Sequence, residues 1–104
     1  MPATGKQIDD EAVAQTAAVL RVIGHPVRLR LLMLLMRKKR PVCALAEALS
    51  LAHNAVSQHL KLMEARGVVS RRRRGRYVYY EVSHPIAETL IQCMWRHLPK
   101  DGGG

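Results

Sequence analysis

Two short amphipathic segments separated by a tight turn, with an arginine-rich hairpin directly after them, constrain the fold of this chain most. They occupy residues 42–82, VCALAEALSLAHNAVSQHLKLMEARGVVSRRRRGRYVYYEV. The apolar spacing predicts one helix from Val42 to about Leu49 and another from about His53 to Ala65, with Gly67 as a left-handed stop. The second helix of such a pair fits the major groove of DNA, while cations on the hairpin reach phosphates. The pattern therefore predicts a helix-turn-helix with a basic wing.

The flanking sequence predicts three further helices and the two strands of the hairpin. The helices are expected at about 8–23, 26–36 and 85–98, and the strands at 68–73 and 76–82. The fold class is thus mainly α with a small β-hairpin, in the order α-α-α-α-β-β-α. One domain is expected over residues 8–98, between flexible tails at 1–7 and 99–104. Arg28 and Arg30 are expected on the exposed side of the second helix.

Positive charge is concentrated around the hairpin. The 104 residues carry 17 Lys and Arg against 8 Asp and Glu, which gives a formal charge of +9. Residues 61–76 hold many of these cations and a single acid, Glu64. A local cluster of this kind indicates a directed contact with a polyanion, and double-stranded DNA is the expected partner.

Neither a membrane partner nor secretion is expected. The basic cluster lacks the apolar face of an interfacial helix, and the longest aliphatic run in the middle, Leu31–Met36, is too short to span a bilayer. The opening residues are polar or acidic, unlike a signal peptide. Two cysteines, Cys43 and Cys93, do not make a disulfide scaffold. The chain is therefore expected in the cytoplasm.

Four stretches of the chain resemble the ArsR/SmtB family of small winged-helix repressors. They are HPVRLRLLMLL (25–35), LAEALSL (45–51), AVSQHLKLMEARGVV (55–69) and RRGRYVYYEV (73–82). The resemblance covers nearly the whole chain apart from the tails. It implies a homodimer joined through the first and last helices, an imperfect palindrome as operator, and repression that a metal ion or an oxidant relieves.

The outward face of the second helix of the pair supplies the candidate base-reading residues. Ser57 and Gln58 lie in the middle of this helix, where glutamine can present a donor and an acceptor to adenine. His53 and Asn54 begin the helix, near phosphates or the first base, and Lys61 suits a phosphate. The alternative is an ordinary solvated helix face.

The framework of this helix carries two further expectations. His59 is expected to support the fold rather than DNA, in line with the family pattern. The family usually caps the helix with Ser or Thr, whereas Ala52 stands here, so a cap worth about 1 kcal/mol is expected to be missing or shifted.

The wing supplies the second set of DNA contacts. Arg74 and Arg76 flank Gly75 and are expected to reach the minor groove or its phosphates. The three tyrosines, Tyr77, Tyr79 and Tyr80, are expected to cover the core beneath the sheet rather than stack on bases.

A sensory site is left open between three alternatives. The metal motif that the resemblance implies, Cys-x-Cys at the start of the third helix, is incomplete because Pro41 precedes Cys43 at the first position. Cys93 and His97 lie four residues apart on the last helix, so two such pairs from a dimer would suit zinc or nickel. Cys43 and Cys93 would form a thiol switch, and the third alternative is no direct sensing.

Two other functional classes compete with a dimeric repressor. A nonspecific architectural nucleic-acid-binding protein would use the same arginines but would discriminate little between sequences. An enzyme is not expected, because Ser57 with His53 or His59 on an outward helix face offers no pocket, acid partner or oxyanion donors.

Overall fold

Five helices and three strands occupy residues 9–99, the part of the chain that the computed structural model describes. The helices are α1 (Asp10–Ile23), α2 (Pro26–Arg37), α3 (Val42–Leu49), α4 (His53–Ala65) and α5 (Pro85–His97). The strands are β1 (Arg40–Pro41), β2 (Val69–Arg74) and β3 (Tyr77–Val82). The predicted tails lie outside the described residues, except for Pro99, and the domain limits 8–98 stay a prediction.

The same two-residue device starts α2 and α5. His25 accepts a hydrogen bond through Nδ1 from the Val27 amide at 3.1 Å, and His84 accepts one from the Ile86 amide at 3.1 Å. A proline follows each histidine at the start of the helix, where its fixed φ suits the first turn and its missing N–H costs nothing. His-Pro therefore sets the start of both helices.

The two ends of α4 are built differently. Ala52 precedes the helix without a side-chain hydrogen bond to its first turn, as the sequence predicts. At the other end Gly67 has φ +73°, its amide donates to the Glu64 carbonyl, and the Val68 amide donates to the Met63 carbonyl, both at 2.9 Å. These two bonds satisfy the last carbonyls and confirm the predicted glycine stop.

The sheet has three strands in the order β1-β3-β2, all antiparallel. The predicted hairpin corresponds to β2 and β3, which pair from Val69↔Val82 to Arg74↔Tyr77 around a turn at Gly75, φ +63°. The prediction omitted β1, whose Arg40 pairs with Tyr80. Two residues carry no alternating pattern, and a proline that cannot donate is suited to an edge strand.

The core lies between the five helices and the inner face of the sheet. It is aliphatic except for Tyr80, and it includes the predicted inward positions of α4, Val56, Leu60 and Met63, all fully buried. Of the other tyrosines, Tyr77 is 47% exposed, so the expectation that it covers the core is wrong. The architecture is a winged helix-turn-helix, and none of the helices in residues 9–99 has the length and apolar character to cross a membrane.

Candidate nucleic-acid interface

The face of α4 opposite the core carries the side chains predicted to read DNA. His53, Asn54, Gln58 and Lys61 are exposed, and Ser57 is half-buried. Their exposure follows from the helical period, because the buried positions of α4 take the other side of the helix. The helix therefore presents a polar surface with one lysine toward its C-terminal end.

A cleft of about 390 Å³ runs between α4 and the sheet, and we call it the wing cleft. It is lined by His53, Ser57 and Lys61 of α4, by Arg71, Tyr77, Val78 and Tyr80 of the sheet, by Arg76 in the hairpin turn, and by Pro41, Val42 and Cys43 at the start of α3. The fold thus brings three cations from separate elements, Lys61, Arg71 and Arg76, to one concave surface. Asn54, Gln58 and Arg74 lie outside this lining.

The arginines of the wing differ in their intramolecular partners. Arg71 Nε lies 3.2 Å from a carboxylate oxygen of Glu64, and Arg72 Nε lies 3.3 Å from one of Glu81. Arg74 and Arg76 form no ion pair with any residue between 9 and 99. Both are exposed at the tip of the hairpin, so their charge is available to an external anion.

His59 connects α4 to the helices behind it. The Arg28 Nε–H donates to His59 Nδ1 at 3.2 Å, while Nη1 of the same guanidinium donates to the Val22 carbonyl at 2.9 Å. The His25 and His59 ring centroids are 4.9 Å apart. Burial, then the positive charge of Arg28, then His25 lower the pKa of His59.

The Arg28 contact corrects one expectation and explains another. Arg28 is half-buried, and the prediction that it lies on an exposed face is wrong because a helical period cannot show a partner 31 residues away. His59 holds the helix in place from behind, which is a structural use. Sequence reasoning missed Arg28, and no signal within α2 would have found it.

The candidate sensory residues lie on α3 and α5. Cys43 lines the wing cleft, while Cys93 and His97 are exposed one turn apart on α5, and both thiols are free. Residues 9–99 contain no group of three or more His, Cys, Asp or Glu side chains that could hold a metal ion. At the start of α3, Pro41 offers no donor, so the residues there do not fit the implied soft-metal pair.

Comparison with known proteins agrees with this architecture. Residues 25–71 match the family model described as bacterial regulatory protein, arsR family. Over 90 residues the chain is 36% identical to the HTH-type transcriptional regulator NmtR of Mycobacterium tuberculosis. The aligned residues make up 85% of this chain and 74% of NmtR. The chain belongs to the arsR family. That family is one of transcriptional regulators, in agreement with the expectation that the chain is not an enzyme.

A second relative and two solved structures are similar to this chain in sequence and in fold. The chain is 34% identical over 85 residues to the HTH-type transcriptional repressor SmtB of M. tuberculosis, covering 81% of this chain and 63% of SmtB, so it spans less than two thirds of that relative. HlyU from Vibrio cholerae superimposes with a TM-score of 0.82 at 25% identity, covering 88% of this chain and 100% of HlyU. The homodimeric winged helix-turn-helix domain of Mb0332 from Mycobacterium bovis gives 0.75 at 28%, covering 90% and 88%.

Proposed function

We propose that this protein is a dimeric transcriptional repressor that binds double-stranded operator DNA through α4 and the wing. The observation that carries the proposal is the wing cleft, where cations from α4 and from the sheet line the same concave surface beside a polar helix face. A major-groove helix with a neighbouring cationic hairpin meets the two requirements of specific binding, which are base-edge contacts and phosphate contacts. Binding to an operator in a bacterium implies a cytoplasmic protein.

The residues of α4 divide by their place along the helix. Ser57 and Gln58, in its middle, are the proposed base readers, and Lys61 is a proposed phosphate contact. His53 and Asn54 occupy the first turn. The amide N–H groups of this turn have no side-chain cap and can donate to an anion. The uncapped start of α4 supports this assignment, since a phosphate oxygen can accept from these amides.

The test compares Gln58→Ala with the unaltered protein on its own promoter DNA and on a scrambled duplex. Loss of a bidentate contact to adenine costs about 1–3 kcal/mol, so operator affinity is expected to fall by about 5- to 150-fold while scrambled-DNA affinity is unchanged. Gln92→Ala, an exposed glutamine on α5, is the matched control and is expected to leave both affinities unchanged. Equal losses on both duplexes would remove Gln58 as a base reader.

The same comparison separates the repressor from a nonspecific architectural protein. An architectural protein would bind the two duplexes alike, with a steep salt dependence and no contribution from Gln58. The uncharged polar residues of α4 favour the specific binder, because they present a pattern of donors and acceptors that can match base edges. The arginines of the wing present only donors.

The dimer is proposed to form through α1 and α5. An apolar groove of about 420 Å³, the α1–α5 groove, is lined by Leu20, Pro85, Ile86, Thr89, Leu90 and Cys93. Val13 and Leu20 on α1 and Leu98 after α5 are 53%, 46% and 53% exposed. Exposed aliphatic side chains on the two terminal helices favour burial against a second copy, as in the homodimeric relative.

The signal that releases the operator is proposed to act on Cys93, either as a metal ligand with His97 or as a thiol with Cys43. Cys93 supports both versions, because it lines the α1–α5 groove that a dimer would share. The metal version needs a pair from each chain, since one chain supplies two ligands. The third version is no direct sensing.

Operator release by zinc, nickel or a thiol oxidant, measured by fluorescence anisotropy, distinguishes these versions. Release by metal that Cys93→Ser and His97→Ala both abolish is expected for the metal site. Release by oxidant that Cys43→Ser and Cys93→Ser both abolish is expected for the thiol switch. Tight operator binding that zinc, nickel and the oxidant all leave unchanged would rule out both the metal site and the thiol switch.

A further inference from the structure

An open groove of about 260 Å³ lies between α2, β1, α5 and Leu49 at the end of α3, and we call it the arginine–tryptophan groove. Its walls include Arg30, Met33, Leu34 and Arg37 of α2, Arg40 of β1 and Trp95 of α5. It shares no lining residue with the wing cleft or with the α1–α5 groove. The proposed DNA and dimer contacts therefore leave it unexplained.

Positive charge without internal compensation is the first property of this groove. Arg30, Arg37 and Arg40 form no ion pair with any residue in the described part of the chain, and no carboxylate lines the groove. Arg40 also lacks a hydrogen-bond partner for its Nε, which is buried, among those residues. A buried donor without an acceptor is unfavourable, so an acceptor from outside the chain is expected here.

The second property is an apolar and aromatic wall beside those charges. Met33 and Leu34 are half-buried, and Trp95 is 38% exposed. The Arg37 guanidinium carbon lies 5.7 Å from the centroid of the Trp95 ring, a cation–π contact between two residues that line the groove. Inorganic phosphate would satisfy the charges but would leave this wall exposed to water.

We propose that the arginine–tryptophan groove binds a small amphipathic organic monoanion, a carboxylate with an apolar tail or ring. The carboxylate accepts from the arginines, whose planar N–H groups suit two oxygens at once, and the apolar body covers Met33, Leu34 and Trp95. The volume lies below the range of about 300–1,000 Å³ typical of drug-sized ligands, so the anion is small.

The sole tryptophan makes the binding directly measurable. We expect octanoate, a transparent carboxylate of suitable size, to change Trp95 emission saturably, with calorimetry giving the same Kd. Octanamide has the apolar tail without the charge, while acetate and inorganic phosphate have charge without the tail. Each of these three compounds lacks either the charge-assisted or the apolar contribution. The Kd of each is therefore expected to be at least about tenfold higher than that of octanoate.

Arginine variants locate the site. Arg30→Gln, Arg37→Gln and Arg40→Gln are each expected to raise the octanoate Kd by about tenfold, the effect of one lost charge-assisted hydrogen bond. Two of these arginines are exposed, so their replacement leaves the fold intact. Arg21→Gln removes the same charge from an exposed position on α1. It is the matched control and is expected to leave the octanoate Kd unchanged.

Three results would overturn the proposal. One is the absence of saturable octanoate binding, and another is equal binding of octanamide or phosphate. The third is octanoate binding that survives all three groove variants, because the carboxylate would then lie elsewhere, for instance in the α1–α5 groove. None of these results bears on operator binding, so the two proposals stand or fall separately.

Discussion

At the scale of single residues, His59 shows that a polar side chain on the helix proposed to face DNA can serve the interior. Its Nδ1 accepts from Arg28, so this nitrogen must be unprotonated, and Arg28 in turn fixes the Val22 carbonyl at the end of α1. One imidazole thus ties α4 to α1 and α2. Protonation would exchange an acceptor for a second cation beside Arg28 and His25, the charged and titratable groups that face it.

Acid is therefore expected to loosen α4. The pKa of His59 in the fold is below the ordinary value of 6.5, because of burial, Arg28 and His25, whereas in the unfolded chain it stays at about 6.5. Between these values the unfolded chain binds a proton that the folded chain does not. The free energy of unfolding therefore falls as pH drops below about 6.5 and levels off below the folded pKa.

Thermal unfolding of His59→Gln tests this expectation. Glutamine does not titrate and keeps an acceptor for Arg28, so the fall in Tm between about pH 7.5 and about pH 5 is expected to be smaller than in the unaltered protein. Gln92→Ala replaces an exposed side chain on α5 that does not titrate and serves as the control, with the original pH dependence. An identical pH dependence in His59→Gln would contradict the role given to His59.

The same residues show what a single sequence leaves out. The inward positions of α4 follow from helical spacing alone, and Gly67 follows from the need for a left-handed stop. The Arg28–His59 bond joins positions 31 apart, and only the crossing of α2 and α4 brings them together. Periodicity describes one element at a time, so contacts of this kind escape it.

At the scale of elements, the wing divides its arginines between the fold and an external partner. Arg71 and Arg72 already have carboxylate partners, whereas Arg74 and Arg76 at the tip have none within residues 9–99. A surface pair contributes little to stability but does neutralise charge toward a phosphate. The tip is therefore expected to dominate the electrostatic part of DNA binding.

Replacing both Arg74 and Arg76 with Ala is expected to weaken binding to every duplex. Loss of two phosphate contacts should make the slope of log affinity against log salt shallower by about two. The matched variant, Arg71 and Arg72 both replaced with Ala, removes the same charge and is expected to change the slope less. Equal changes in the two double variants would mean that position on the wing does not matter.

The strands of the wing were predictable and their neighbour was not. Six residues rich in β-branched and aromatic types precede the last helix, and a glycine marks the turn. β1 has two residues, and its pairing with Tyr79 and Tyr80 depends on where α2 ends and α3 begins. A strand this short is defined by its partner rather than by its own sequence.

At the scale of the whole molecule, the exposed aliphatic side chains of α1 and α5 are expected to be covered in a dimer. Leu20→Glu places a charge in the α1–α5 groove and is expected to shift the protein to monomers in sedimentation equilibrium, because an unpaired carboxylate would be desolvated. Operator affinity is expected to fall with it, since two half-sites are then bound independently.

Leu62→Glu is the control for this experiment. Leu62 is 44% exposed on α4, away from the α1–α5 groove, so the same substitution there is expected to leave the oligomeric state unchanged. If Leu20→Glu sediments like the unaltered protein, α1 does not contribute to the interface. The resemblance to the ArsR/SmtB family implied this face from sequence, whereas the arginine–tryptophan groove had no such signal because its walls come from four separate elements, α2, β1, α3 and α5.

The two outer strands of the small sheet also bear on how the protein behaves at high concentration. One edge is β1, two residues long and ending in a proline, and the other is β2, which carries four consecutive arginines from 71 to 74. A proline denies an incoming strand a hydrogen-bond donor, and a row of like charges repels one. Both borders are thus closed to edge-to-edge aggregation, and the wing can project into solvent without recruiting neighbouring chains into fibrils.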